Sequence, residues 1–336
     1  MIGAVFSEEP VLSSLRPPAL SLLSVLFAAS CLSSGGTSSQ RACRGIEPNG
    51  PDANGTAIRG QIAPSCPVRD DLRLRVVQLA DSVTLASGES IDGGAVKWEA
   101  GAIVASGKQP SDFVGATLRG LAEPSQKVHV RIDAISAGDS APEYQLSYRW
   151  PSDDKWQPLC KDGASAIAVS GAWDVSVSPG GGGKRSSSPS DVTFACQGSA
   201  IAKCVTLLKY KPWATSPSGA SLDLLHQSCV RAVRADYCGN GQSNTRPNEQ
   251  VNFYDSAGIA QDGAEWPLEA IWTPDGARCV EATRLATIPM DTRSQRPSET
   301  VKDYLQRTCP QVLRPCSGVA TSGGTLLYTE VAPSKP

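Results

Sequence analysis

The residues best able to do chemistry in this 336-residue chain are its eleven cysteines, set against only two histidines. A cysteine can be acylated, oxidised to a disulfide, bound to a metal or used as a nucleophile, and number and spacing separate these uses. With Cys31 set aside, ten remain: Cys43, Cys66, Cys160, Cys196, Cys204, Cys229, Cys238, Cys279, Cys309 and Cys316. An even set of this size fits five disulfides in an oxidising compartment. A zinc centre calls for close C-x-x-C pairs with histidines nearby. Here the shortest gaps run from Cys309 to Cys316 and from Cys196 to Cys204, and the histidines are His129 and His226. No metal and no cofactor is expected. A thiol enzyme built on His226 is disfavoured for the same reason, since an even set in that compartment is read as paired.

Cys31 is different because of what precedes it. Pro18–Ala29 is a hydrophobic run of about a dozen residues, the length of an export-signal core and too short to span a bilayer as a helix. Ala28-Ala29-Ser30-Cys31 then resembles the lipobox of bacterial lipoproteins, in which small residues lead into an acylated cysteine. Residues 1–30 are read as a lipoprotein-type signal peptide and Cys31 as the lipidated first residue of the mature chain. Ala28 stands where Leu is commonest, and Glu8 and Glu9 face only Arg16, which a mis-assigned start codon explains. The alternative is plain secretion with Cys31 left as an odd thiol. Several acyl chains would hold the protein firmly, where one chain binds only marginally. The expected location is the cell envelope, facing periplasm or cell surface.

Other chemistry is thinly signalled. The sequence has no G-x-S-x-G elbow, P-loop, H-E-x-x-H or Rossmann fingerprint. Charge is balanced, 31 Lys+Arg against 33 Asp+Glu, so no broad field draws nucleic acid. The alternative of an envelope hydrolase acting on polysaccharide or peptide rests on carboxylates such as Asp236, Asp255 or Glu269 as acid and base. His226 and Asp236 could be an acid–base pair only across a helix break, since ten residues of straight helix set them about 15 Å apart. Trp150 and Trp156 flank the polar turn SDDK and could stack on a ligand such as a glycan. The neighbouring DD and CKDG segments lack the ligand spacing of a calcium loop.

The elements that position these residues form an α+β protein, a β-rich module followed by a disulfide-stapled α+β module with two to three helices. Residues 31–66 are rich in Gly, Ser, Pro and Asn and read as a tether. Over 67–178 the pattern alternates: Leu72, Leu74 and Val76 share one strand face, and Val128, Val130 and Ile132 another, with His129 on the polar side. VKWEAGAIVAS, EYQLSYRW, AIAVSGAWDVSV and DVTFAC are further strands. The Gly/Ser stretch 179–189 is read as a linker or long loop that does not pack. Over 190–316 Ser199 caps a helix carrying Ile201, Cys204, Val205 and Leu208, and Leu222, Leu225, Cys229 and Val233 stripe a second. A cysteine on the apolar face of each invites a Cys204–Cys229 bridge. A third helix covers 300–307 with Val301, Tyr304 and Leu305 inward, and QVNFYD and PLEAIWT are strands. Residues 317–336 are a peripheral tail in which LLYTEV adds an edge strand.

Ala235-Asp236-Tyr237-Cys238 follows the second helix and leads into Gly239-Asn240-Gly241. With DVTFACQGSAIAKCVTLLKYKPW upstream and VNFYDSAGI downstream, this resembles the ADYC-domain proteins, an exported family common in myxobacteria, over about 143–285. The resemblance implies a domain and a compartment and brings no catalytic residue or cofactor. Read physically, the motif is architecture: a helix ending at Asp236 or Tyr237, a disulfide fixing that end, and two glycines making the turn. The expected role is a tethered binding or structural protein whose partner is an envelope protein or glycan, and not nucleic acid.

Overall fold

The computed structural model describes residues 74–78, 82–122, 126–160, 163–173, 182–245, 249–262, 266–287, 299–318 and 327–332, all within one compact unit. Cys31, Cys43 and Cys66, with the expected signal and tether, lie outside the described residues.

Strands come first: β1 (Leu74–Gln78), β2 (Ser82–Thr84), β3 (Ser90–Asp92), β4 (Val96–Glu99), β5 (Ala102–Ala105), β6 (Thr117–Ala122), β7 (Gln126–Ser136), β8 (Glu143–Arg149), β9 (Gln157–Pro158), β10 (Ala166–Ser170), β11 (Ala172–Trp173), β12 (Arg185–Ser186) and β13 (Asp191–Cys196). The main sheet runs β1-β13-β10-β8-β7-β6, and β1 pairs again with β6 through Val77 and Gly120. Six antiparallel strands therefore close on themselves, which leaves that ring without a free edge. The β2–β3 hairpin hangs from β6 and β9 from β8.

Alternation fills the ring. Val128, Val130 and Ile132 are almost wholly buried inside it with Leu118, Leu146, Val192 and Phe194, while His129, Arg131 and Asp133 between them are half-exposed. Trp98, from the β4–β5 hairpin, meets Tyr144 and Phe194 edge-on at 5.7 and 5.4 Å. The Tyr144 hydroxyl donates to the Gly101 carbonyl at 2.8 Å, tying that hairpin to β8. On β1 Val77 is fully buried, while Leu72 and the side chains of Leu74 and Val76 lie outside the described residues. The pairing of β1 with β6 shifts register between Leu74 and Val76.

β13 follows the Gly/Ser stretch in sequence yet lies between β1 and β10 in the ring. From its end the chain passes to the helices α1 (Ala200–Thr206), α2 (Asp223–Arg234) and α3 (Val301–Thr308), and to the strands β14 (Val251–Asp255), β15 (Leu268–Thr273), β16 (Gly276–Val280) and β17 (Leu327–Val331). Ser199 caps α1 and Thr300 caps α3 through their side chains. Leu222, Leu225, Cys229 and Val233 of α2 are buried, as are Val301, Tyr304 and Leu305 of α3. α2 packs against β15 and β16, while Ile167 and Val169 from the outer face of β10 join the helices in a second core. One flank of the ring is thus covered, and the β6–β7–β8 flank keeps its polar face.

The four-stranded sheet runs β14-β17-β15-β16. LLYTEV is therefore not at the edge: β17 pairs on both sides, and Leu327 and Thr329 are fully buried. That placement depends on pairing with strands more than 50 residues earlier, which no local pattern encodes. The described residues hold four disulfides: Cys160–Cys196, Cys204–Cys229, Cys238–Cys309 and Cys279–Cys316. Among the described residues no helix is long and apolar enough to cross a membrane.

Candidate functional site

The tetrapeptide after α2 is built into the interior residue by residue. α2 ends at Arg234, and Ala235 takes the left-handed conformation, φ 49° and ψ 43°, that lets the chain turn away. Ala235, Asp236 and Tyr237 are wholly buried. The Asp236 carboxylate accepts hydrogen bonds from the Arg231 guanidinium, from Asn240 N–H at 3.1 Å and from Gly241 N–H at 3.0 Å. Arg231 also donates from Nη1 to the Gly182 carbonyl at 2.7 Å and from Nε to the Pro274 carbonyl at 3.0 Å. Its side chain is 1 % exposed, so this is a buried ion pair with its geometry fixed from several sides.

Tyr237 works in the opposite direction. Its hydroxyl donates to Glu269 Oε1 at 2.7 Å and accepts from Arg284 N–H at 2.9 Å, and its ring stacks on Trp272 at 5.3 Å. Burial, then the Glu269 charge, pushes the Tyr237 phenol well above its ordinary pKa, so it remains a donor. Arg284 donates to Glu269 Oε2 at 2.8 Å and to the last-turn carbonyls of α2, Ala232 at 2.8 Å and Val233 at 3.0 Å. A guanidinium thus caps the negative end of the helix while a carboxylate neutralises it. Cys238 closes the motif through its bridge to Cys309, and Gly239 is needed next because a Cβ there would lie 1.7 Å from the Asp275 carbonyl oxygen.

The Gly/Ser stretch takes part in this arrangement. Gly182 and Gly183 are buried, and a Cβ on Gly183 would sit 2.6 Å from Arg231 Nη1 and 3.2 Å from Gly241 Cα. Against the expectation of a segment that does not pack, these two glycines within it pack, because the missing side chains leave room for two guanidiniums.

The three candidate carboxylates belong to separate bonded sets. Asp255 accepts from the Tyr210 hydroxyl at 2.9 Å and from the N–H groups of Ala257, Ile259 and Ala260, which shapes the turn after β14. Burial and then the Asp255 charge raise the Tyr210 phenol. Asp236, Asp255 and Glu269 are each at most 5 % exposed, and none is hydrogen-bonded to another. His226 is fully buried, its Nε2 3.2 Å from the Ile201 carbonyl and its ring edge-on to Trp173 at 5.8 Å. Burial drives its pKa down to about 3, the Ile201 bond opposing and Arg185 adding a little. It is a neutral core histidine, remote from any bonding with Asp236. Among the described residues no group of three or more His, Cys, Asp and Glu is gathered as a metal site would need.

Outside the interior, Trp150 and Trp156 are both half-buried. Trp150 leans edge-on against Tyr148 at 6.3 Å. Trp156 has two guanidinium carbons over its ring, Arg131 at 4.5 Å and Arg149 at 5.0 Å. His129 stands opposite Arg149 on β8 and Arg119 on β6. Its pKa is lowered by partial burial and by Arg149. Reading the sequence strand by strand hides this cluster, because the cross-strand register that assembles it is set by pairing. A hollow beside the Cys238–Cys309 bridge, lined in part by Arg278, Gln311 and Arg314, holds about 200 Å³. That is below the ~300–1,000 Å³ of ordinary small-molecule sites.

A family model described as the ADYC domain matches residues 110–286, just over half of the chain. It begins ahead of β6 and so takes in ring strands that lie outside the 143–285 span of the sequence resemblance. No curated protein matches, and no solved structure matches.

Proposed function

The chain belongs to the ADYC domain family, and from that premise we propose that it is a disulfide-stapled binding or structural protein of the cell envelope, held to a membrane by lipid on Cys31. The observation that carries the reading is the fate of the signature residues. The side-chain oxygens of Asp236 and Tyr237 are all taken by internal partners, and Cys238 is bridged. Groups that must meet a substrate keep a lone pair or a proton aimed into a cleft, whereas these are spent on holding a helix end, a glycine loop and a sheet together. The same holds for Asp255 and Glu269, which supports binding over hydrolysis. The paired cysteines and the lack of a spanning helix among the described residues are compatible with life outside the cytoplasm.

The test is the intact mass of the membrane-extracted protein before and after reduction with alkylation. The expected species starts at Cys31, carries the mass of its acyl chains, and gains alkylated thiols only after reduction. A mature chain with an unmodified Cys31 would remove the anchor, and thiols alkylated without reduction would remove the compartment.

A further inference from the structure

We propose that the exposed flank of the strand ring, at His129, Arg131, Arg149 and Trp156, is a binding site for a phosphate group. The inference names a ligand class for the binding reading and rests on it. Two arginines flank one histidine across the strands: Arg119 on β6 and Arg149 on β8 stand either side of His129 on β7. With strands ~4.8 Å apart the three lie within about 10 Å, and a protonated His129 stands directly opposite Arg149, a like-charge pair that destabilises a sheet unless an anion joins it. Among the described residues no helix or second sheet packs over that row.

The next residues show preparation. Asp133 accepts from Arg131 Nε at 2.6 Å and from the Ser147 hydroxyl, which fixes the Arg131 guanidinium over Trp156. The terminal nitrogens of Arg131 then have no acceptor among the described residues, and its side chain is 33 % exposed. Arg149 lies over the same ring, with one long bond from Nη1 to the Asp153 carbonyl at 3.3 Å and its buried Nε without a partner. Two planar donors are thus held in place by one indole and one carboxylate before any ligand arrives. Arg131 is already neutralised by Asp133, so the charge left to satisfy is Arg149 plus a protonated His129. Two positive charges match a phosphate dianion better than a single carboxylate.

The charged groups facing His129 are Arg119 from β6, Arg149 from β8, and Lys127 and Arg131 along its own strand. Asp133 lies further along the same strand and is taken up by Arg131, so an arriving dianion raises the imidazole pKa, and by linkage protonation of His129 tightens binding of the dianion.

The chain has two histidines, and His226 stays neutral through the useful pH range, so a single titrating imidazole reports the site. The detergent-solubilised full chain, labelled at histidine, is titrated by NMR with and without inorganic phosphate at constant ionic strength. The His129 midpoint is expected to rise by about half a unit or more in phosphate, and Arg149→Gln to abolish the rise while leaving the disulfides and unfolding temperature intact. Arg131→Gln serves as second variant if Arg149→Gln does not fold. A His129 midpoint that ignores phosphate, in a protein whose mass confirms the anchor and bridges, overturns this site alone and leaves the envelope reading standing. Glycerol 3-phosphate moving the midpoint as far as inorganic phosphate places the ligand among phosphate esters, whereas response to the inorganic ion alone makes the free ion the ligand.

Discussion

Replacing Asp236 by Asn changes one atom type at the centre of the motif, and the structure dictates its cost. Asp236 accepts from three donors, the Arg231 guanidinium and the N–H groups of Asn240 and Gly241, with Arg234 Nη1 at 4.0 Å. An Asn amide turns one acceptor into a donor, so at least one of these N–H groups meets another N–H. Arg231, 1 % exposed, also loses its counter-charge. Breaking one side of a buried pair costs about 3–5 kcal/mol, which for a chain of this size lowers the unfolding temperature by roughly 6–20 °C. The assay is thermal and urea unfolding by circular dichroism with the disulfides intact. The companion variant, Arg231→Met with Asp236→Leu, removes both charges and is expected to unfold closer to wild type than Asp236→Asn does. An Asp236→Asn protein within about 0.5 kcal/mol of wild type would refute the architectural account and return Asp236 to the list of functional groups.

Gly183→Ala places a methyl 2.6 Å from Arg231 Nη1 at φ +74°, whereas Gly88→Ala at φ +85° meets open space. The first is expected to cost more than the ~1–2 kcal/mol of left-handed strain that the second carries alone, by the same unfolding measurement. Replacing both Cys204 and Cys229 by Ala opens a crosslink across 25 residues and should remove about 3 kcal/mol on a chain-entropy estimate. Tyr237→Phe deletes the hydroxyl between Glu269 and Arg284 and should cost about 1.5–3 kcal/mol, with no change in far-UV spectrum. His226 has a folded pKa near 3 against 6.5 unfolded, so the unfolded state binds the extra proton and stability falls as pH drops below about 6.5. Roughly 3 kcal/mol should be lost by pH 4, and His226→Gln should flatten the free energy of unfolding against pH over that interval.

What the sequence discloses is what local periodicity controls. The β7 face of Val128, Val130 and Ile132 and the α2 stripe from Leu222 to Val233 are legible because burial repeats at the period of the element. The Cys204–Cys229 bridge follows from placing one cysteine on each stripe. Pairing partners far along the chain are not legible. Nothing near LLYTEV marks it as an inner strand, and nothing near DVTFAC says that it closes a ring with β1. β16 is missed because Gly276 and Arg278 interrupt its apolar alternation, although its partner β15 is plain. The motif's role as a helix end held by a disulfide is readable from its residue types, while Arg231, Arg284 and Gly183 as its partners are not. Arg284 reaches the motif from 46 residues beyond Cys238, and only the folded chain brings it back.

Buried ion pairs and disulfides act on this protein in different ways. A disulfide mainly restricts the unfolded chain, so Cys238–Cys309 stabilises whatever structure the motif adopts. The Asp236–Arg231 and Glu269–Arg284 pairs act on the folded state, because misplacing any donor strands a charge in the interior. They penalise alternatives to one arrangement of α2, the glycine loop and the four-stranded sheet. Reduction should therefore lower stability without changing the native hydrogen bonds, whereas Asp236→Asn should disturb the arrangement with every bridge intact. A motif of this kind specifies an interior, and an interior is silent about ligands. Differences in what such proteins bind must then lie on surfaces the motif leaves free, such as the polar flank of the ring where Arg119, His129 and Arg149 stand side by side.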